Sequence, residues 1–186
     1  MIEKYRLVKS RRKTLSVSVK GGIVEVKAPI GLSEIEIERF LLKHSQWIEK
    51  KLKESESLKK DIDNEPKLSM DEIRKLANEA LKVVPERVAY YAGKMHVTYG
   101  RITIRNQKSR WGSCTSKGNL NFNCLLMLAP REVLDSVVVH ELCHRKHMDH
   151  SKRFYEDILK VYPDYYKWDA WLKENGKKLI GRMLKE

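Results

Sequence analysis

His140-Glu141-Leu142-Cys143-His144 is the stretch that decides the interpretation of this 186-residue chain. On a helix, positions i and i+4 lie on one face, so the two histidines can point at one metal ion. Glu141 is offset from that face and can reach a water molecule on the metal without binding the metal itself. A helix is predicted to open at Pro130 and to run through the apolar Val137-Val138-Val139. The pattern therefore predicts a buried single-metal site on one helix.

A catalytic zinc site usually takes three protein ligands and keeps one position open. The third ligand could come from one of three residues that follow the motif, namely His147, Asp149 and His150. His150 is favoured, since the resulting H-E-x-x-H-x-x-x-x-x-H has the ligand spacing of metzincin proteases, which carry a glycine at the position of His147. Neutral imidazoles suit Zn²⁺, and another divalent metal is the alternative.

Charge and cysteine content narrow the class of protein. The chain has 38 Lys and Arg against 25 Asp and Glu, a net charge of +13. This charge attracts nucleic acid, nucleotide phosphates or acidic surfaces, and a solvated basic surface is the alternative. One basic group lies in residues 1–20, and a second surrounds the motif. The three cysteines are odd in number and widely spaced, which predicts reduced thiols: Cys114, Cys124 and Cys143.

Membrane insertion and secretion are not expected. No apolar run approaches the roughly 20 residues that span a bilayer. The N-terminus has no apolar signal-peptide core. We therefore expect a cytoplasmic protein, and the sequence does not fix its oligomeric state.

Residues 1–66 are predicted to form an N-terminal subdomain that begins with strands. Thr14–Val19 and Ile23–Ala28 alternate apolar and polar residues on either side of Gly21-Gly22, which predicts a β-hairpin. Tyr5–Val8 could add a third strand.

A long helix is predicted to follow the hairpin. Ser33 and Glu36 form a capping-box pattern before an apolar stripe that extends to Leu52, which predicts one helix of about five turns. Residues 54–67 are polar and charged, and are interpreted as a linker or a frayed helix end.

Residues 67–186 are predicted to form a catalytic domain around the metal helix. A helix from Ser69 to about Ala92 is predicted to be kinked or divided at Pro85 and to end at Gly93. Three short strands are also predicted, at Met95–Tyr99, Arg101–Arg105 and Asn119–Leu128. Two C-terminal helices are predicted at Ser151–Val161 and Pro163–Leu184. The predicted fold class is α+β, with a β-hairpin and long helix followed by a zincin-like domain that has a small sheet and the H-E-x-x-H helix.

Arg110-Trp111-Gly112-Ser113-Cys114, together with the H-E-L-x-H helix, His150-Ser151 and Arg153-Phe154, resembles the YgjP-like family of predicted metal-dependent hydrolases. These zincin-like proteins are related more distantly to the WLM and SprT-type proteases. The resemblance covers nearly the whole chain. It implies that His140, His144 and His150 bind the metal and that Glu141 is the general base. It also implies metallopeptidase ancestry, while a member of the family has been associated with nucleoside-triphosphate pyrophosphatase activity, chiefly on UTP.

Three functions remain open at this point. In a UTP pyrophosphatase, guanidinium groups around the site would bind phosphate in a bidentate manner. The candidate substrate-binding residues are Arg105, Arg110, Trp111, Ser113 and Arg153. A zinc metalloprotease acting on nucleic-acid-associated proteins would bind its peptide as an added strand, for which Asn119–Leu128 is the candidate edge. The third is a basic nucleic-acid-binding module with a vestigial metal site, against which the intact Glu141 argues.

Aromatic residues near the C-terminus have a structural interpretation. They stand at helical spacing and are predicted to pack in the core: Tyr162, Tyr165, Tyr166, Trp168 and Trp171. Trp111 is interpreted either as a base-stacking residue or as a core residue.

Overall fold

The computed structural model describes residues 4–183. The chain divides into two compact units after Glu65. The assignment of 1–66 and 67–186 as an N-terminal subdomain and a catalytic domain stays a prediction. Within the described residues, no helix has both the length and the apolar character needed to cross a bilayer. The cytoplasmic location also stays a prediction.

The first unit begins with a three-stranded sheet. Its strands are β1 (Arg6–Ser10), β2 (Ser16–Lys20) and β3 (Ile23–Pro29), in the order β1-β3-β2. β2 and β3 are antiparallel and joined by Gly21 and Gly22, whose positive φ angles of 56° and 80° suit glycine at a tight turn. The hairpin and the third strand are confirmed, and the third strand runs parallel to β3.

Two helices complete the first unit, α1 (Glu34–Lys43) and α2 (Ser45–Asn64). The capping box of Ser33 and Glu36 is confirmed. The prediction of one continuous helix is wrong because the backbone leaves helical geometry at His44, with φ −105° and ψ 11°. Nδ1 of the His44 ring lies 2.8 Å from the Phe40 carbonyl oxygen, so the side chain competes for a helical acceptor.

The charged segment at 54–67 is mostly helix rather than linker, since α2 continues to Asn64. Charged pairs one turn apart, such as Lys51 and Glu54 at 2.6 Å, support a helix with few apolar residues.

The second unit begins with α3 (Met70–Met95), and Ser69 and Glu72 form a capping box at the start of this helix. Pro85 lies inside α3 and does not divide it. Gly93 does not end it, since α3 continues to Met95 and His96 adopts the left-handed conformation at φ 51°. The strand predicted for Met95–Tyr99 is therefore wrong.

A second three-stranded sheet follows, made of β4 (Ile102–Arg105), β5 (Gly112–Cys114) and β6 (Leu120–Asn123) in the order β4-β6-β5. The predicted strand Asn119–Leu128 is too long, because Cys124–Leu128 is a 3-10 helix. The Asn123 side chain starts that helix by accepting a hydrogen bond from the Leu125 amide at 3.1 Å. β6 is the central strand, so the prediction that it forms a sheet edge is also wrong.

Three helices build the rest of the unit: α4 (Arg131–Cys143), α5 (Lys152–Val161) and α6 (Tyr165–Gly181). α4 opens after Pro130 as predicted, and Val133, Val138 and Leu142 on it are fully buried. These helices and the two small sheets confirm the α+β fold class.

Candidate metal centre

Three histidine side chains converge at the end of α4. One ligand atom from each of His140, His144 and His150 lies within 4.8 Å of the other two. Nε2 of His140 and Nε2 of His150 are 3.1 Å apart. The chain turns after His144 and returns at His150, so the three residues with the predicted spacing meet in space.

Neighbouring groups hold the rings in place. Nδ1 of His140 lies 2.8 Å from the Tyr165 hydroxyl, and Nδ1 of His144 donates to the His147 carbonyl at 3.0 Å. Each ring is therefore left with Nε2 for another partner. Phe154 is fully buried, and the centroid of its ring lies 4.8 to 5.0 Å from the centroids of all three imidazole rings. Such contacts restrict the orientation of the three rings.

The protonation state of the histidines fits a metal ion. Burial, together with the neighbouring His144 and His150, lowers the pKa of His140 to about 4. Burial also lowers the pKa of His144. At neutral pH these imidazoles are uncharged and present lone pairs, which is the form that binds zinc. Nitrogen ligands at about 2.0–2.1 Å from a tetrahedral zinc are roughly 3.4 Å apart, so the 3.1 Å between His140 and His150 suits a shared cation.

His147, the alternative third ligand, points elsewhere. Its Nε2 lies 2.9 Å from Oδ2 of Asp157 on α5, and its amide donates to the Cys143 carbonyl at 3.0 Å. Its backbone carbonyl is the acceptor for His144. His147 thus anchors the turn after α4 without the glycine of the metzincins, and the structure keeps it outside the cluster.

Glu141 is buried on α4 beside β5, with 6% of its surface exposed. Burial raises the pKa of its carboxyl to about 8. Gly112 makes room for this carboxyl group, since a Cβ at position 112 would lie only 2.6 Å from Oε1 of Glu141. A buried carboxyl with a raised pKa in a cleft is typical of acid–base catalysis.

Two clefts flank the cluster. The first, of about 240 Å³, is lined by Arg110, Trp111, Tyr165 and Asp169 as well as by His140 and Glu141. The second, of about 360 Å³, exposes all three histidines together with Ser113, Cys114 and Met148. Arg110 and Gly112 line both clefts.

The structure therefore brings three of the five predicted substrate-binding residues to the histidines, namely Arg110, Trp111 and Ser113. Arg105 and Arg153 are exposed and line neither cleft. Their part in substrate binding stays a prediction. Trp111 is half-buried and packs against the core, with its ring 3.0 Å from the position of a Cβ on Gly176 of α6.

The sequence interpretation missed the role of Tyr165. Tyr165 is buried as predicted, but its hydroxyl also contacts His140, 25 residues away, and no spacing pattern indicates this. Tyr166 departs from the predicted core packing, since 52% of it is exposed. The three cysteines are free thiols, as predicted, and Cys124 and Cys143 are buried.

Comparison with known proteins relates the chain to metallopeptidases. Residues 13–73 and 64–175 match the family described as YgjP-like, metallopeptidase domain. A relative from Escherichia coli (strain K12), described as UTP pyrophosphatase, is 30% identical over 106 residues, which cover 53% of this chain and 64% of the relative.

Two solved structures show partial similarity, and both are metallopeptidase zymogens. Abylysin of Pyrococcus abyssi is 20% identical with a TM-score of 0.46, over 51% of this chain and 97% of that chain. Jannalysin of Methanocaldococcus jannaschii is 17% identical with a TM-score of 0.45, over 50% of this chain and 97% of that chain.

Proposed function

Since the chain belongs to the YgjP-like family with its metallopeptidase domain, we propose that it is a hydrolase dependent on a divalent metal ion. His140, His144 and His150 would hold the ion, with Zn²⁺ the expected metal. The observation that carries this proposal is the meeting of three imidazole nitrogens beside the buried Glu141. Among residues 4–183, no further His, Cys, Asp or Glu completes a closed four-ligand set with them, which favours a catalytic over a structural site.

Each nearby side chain has a role that its position supports. A divalent cation at this site would supply Lewis acidity and lower the pKa of a coordinated water from 15.7 to about 7. A divalent cation held by the histidines would favour the ionised form of Glu141 over the protonated form that burial favours. The carboxylate would accept the proton of the attacking water and pass it to the leaving group. Tyr165 would hold the His140 ring, and Arg110 would stabilise negative charge that develops on the substrate.

We favour a nucleoside triphosphate, with UTP first, as the substrate. The name of the Escherichia coli relative supports this choice, although the match spans 64% of that protein. The position of Arg110 where the two clefts meet adds support, since a guanidinium group binds phosphate oxygens in a bidentate manner. In the reaction, the water oxygen would bond to the α-phosphorus and the bond to pyrophosphate would break, which gives UMP and pyrophosphate. The leaving pyrophosphate would take the proton from Glu141.

A peptide is the second candidate substrate, and the position of β5 favours it. Among the strands of residues 4–183, β5 pairs only with β6, so its other side is a sheet edge. Gly112–Cys114 line a cleft next to the histidines. An extended peptide could add to this edge as a further strand, with its scissile carbonyl near the metal ligands. This edge replaces the one predicted for Asn119–Leu128.

The deciding experiment measures pyrophosphate release from UTP by zinc-loaded protein, with fluorescent casein as a parallel peptide substrate. Glu141→Gln should retain zinc and lose release by roughly a hundredfold or more, since general-base catalysis contributes about 10²–10⁴-fold. Arg110→Ala should reduce UTP hydrolysis far more than casein cleavage.

Other results would overturn parts of the proposal. No release above the Glu141→Gln background with zinc, magnesium or manganese would exclude the pyrophosphatase. Casein cleavage that depends on Glu141 would then establish a peptidase. Inactivity on both substrates, with zinc bound, would favour a module with a vestigial metal site.

A further inference from the structure

Positive charge in the first unit is concentrated on one part of the chain. Residues 4–29, which contain the sheet, hold eight Lys and Arg and one acidic residue, Glu25. Residues 34–64, which contain α1 and α2, hold seven Lys and Arg against eight Asp and Glu. The helices are nearly neutral, so the sheet and its loop provide the positive charge of the unit: Lys4, Arg6, Lys9, Arg11, Arg12, Lys13, Lys20 and Lys27.

The strand register sorts these residues onto the outer face of the sheet. Val24, Val26 and Ala28 of β3 are buried on the inner face. The residues that alternate with them form cross-strand rows on the outer face. One row is Val8, Lys27 and Ser16, the next is Arg6, Glu25 and Ser18, and Lys20 stands opposite Ile23. The outer face therefore carries three cations and two hydroxyl groups, and its acid is paired with Lys27 at 3.3 Å.

A basic loop lies at one end of this face. β1 and β2 flank β3 on opposite sides, so the loop between Ser10 and Ser16 crosses the end of the sheet. Arg11 and Lys13 are exposed, and Arg12 donates to Thr14 Oγ1 within the same loop at 3.1 Å. No carboxylate in the described part of the chain forms an ion pair with these three side chains. The exposed Arg11 and Lys13 in particular present their charge where a ligand can reach it.

We propose that this basic face, defined as the outer side of the β1-β3-β2 sheet and the loop Arg11–Lys13, binds the phosphodiester backbone of nucleic acid. Lys, Arg and Ser side chains are the usual donors to phosphate oxygens, and such contacts carry no base specificity. The cations are spread over a sheet face and a loop, which suits an extended polyanion better than a single phosphate group. The inference does not depend on the hydrolase activity proposed above.

The test measures binding of the full-length protein to a fluorescein-labelled 20-base-pair DNA duplex by anisotropy at several salt concentrations. The loop variant combines Arg11→Gln, Arg12→Gln and Lys13→Gln. The control variant removes the same charge from exposed positions on α2, with Lys50→Gln, Lys53→Gln and Lys60→Gln. Circular dichroism verifies that both variants are folded.

We expect the loop variant to bind roughly tenfold or more weakly at low salt. The slope of log K against log salt is negative, and its magnitude should decrease by about 2 to 3, because each lost phosphate contact removes about 0.9. The control variant should keep the slope of the wild type. A second face variant, with Arg6→Gln and Lys20→Gln, should lower the slope by up to about 2.

Three outcomes would overturn the inference. Equal losses in the loop and control variants would mean that net charge alone attracts the DNA. No measurable binding by the wild type at low salt would exclude the surface. Tighter binding to vesicles with 30% phosphatidylserine than to the duplex, lost in the loop variant, would assign the surface to a membrane instead.

Discussion

At residue 112, the lack of a side chain lets β5 lie close to Glu141 on α4. An added Cβ would lie 2.6 Å from Oε1, 2.7 Å from Cγ and 2.9 Å from Cδ of Glu141. All three distances are shorter than a non-bonded contact allows, so the whole carboxyl end of Glu141 would have to move. Glu141 is buried, and its surroundings leave little space for that movement.

Gly112→Ala is therefore expected to reduce hydrolysis by about a hundredfold, since a shift of about 1 Å in a catalytic group can cost that much. Zinc should stay bound, because the histidines are not displaced. Metal content and turnover of the same sample measure the two effects separately.

Gly93→Ala is the matched control, since a Cβ there meets nothing within 4 Å and the position lies in α3. It should leave activity unchanged and raise the stability by up to about 1 kcal/mol. Full activity of Gly112→Ala would mean that Glu141 does not need its observed position.

Individual residues of the site differ in how far sequence predicts them. His140, Glu141 and His144 follow from helical spacing, which is a local property. Spacing favours His150 over His147. The structure places His150 with the other two histidines, whereas His147 bonds to Asp157 on α5. Contacts of this kind join distant segments, so no local pattern reports them.

At the scale of elements, α4 is fixed to α3 by a largely buried ion pair. Nε and Nη2 of Arg87 donate to the two carboxylate oxygens of Asp135 at 2.6 and 2.7 Å. The Tyr91 hydroxyl donates to the same carboxylate at 3.2 Å, and burial is the main reason that the pKa of Tyr91 rises to about 12. Asp135 lies five residues before His140, so this pair holds the helix that carries His140 and Glu141.

Arg87→Ala is expected to lower the free energy of unfolding by about 3 kcal/mol, because it leaves a buried carboxylate without its partner. Urea denaturation measures the loss. Arg74→Ala, which removes an arginine from an ion pair whose side chains are 73% and 81% exposed, should change stability by less than about 0.5 kcal/mol.

A double variant separates pairing from packing. If the pair is the cause, adding Asp135→Asn to Arg87→Ala should cost less than the sum of the two single changes. Strict additivity would show that Arg87 acts through its apolar contacts instead.

Helices and strands are predicted correctly where the sequence signal is local. They are predicted wrongly where a side-chain contact breaks or ends the element. The Ser33 and Ser69 sites form capping boxes, and the Gly21-Gly22 turn joins the hairpin. The break at His44 depends on one ring reaching a carbonyl, and the end of β6 depends on the Asn123 side chain. Apolar periodicity is the same on both sides of these points, so it cannot mark them.

At the scale of the whole molecule, the two units have separate hydrophobic cores. The first is small, with six buried apolar residues among those described: Val24, Val26, Ala28, Ile37, Leu41 and Ile48. The core of the second unit is far larger and surrounds α4. The proposed metal ligands all lie in the second unit, whereas the proposed nucleic-acid surface lies in the first.

Because the two units have separate cores, we expect a bound metal ion to stabilise only the second unit against unfolding. A ligand stabilises only the part whose folded state it binds, by about 2.7 kcal/mol at a hundredfold excess over Kd. For a unit of this size that is roughly 10 °C in melting temperature. Calorimetry should therefore show two transitions, of which zinc raises the one that belongs to residues 66–186 and chelation lowers it again. Glu141→Gln should keep the shift and His150→Ala should lose most of it. A single transition that moves as a whole would show that the units unfold together, and an equal shift in His150→Ala would remove His150 from the ligand set.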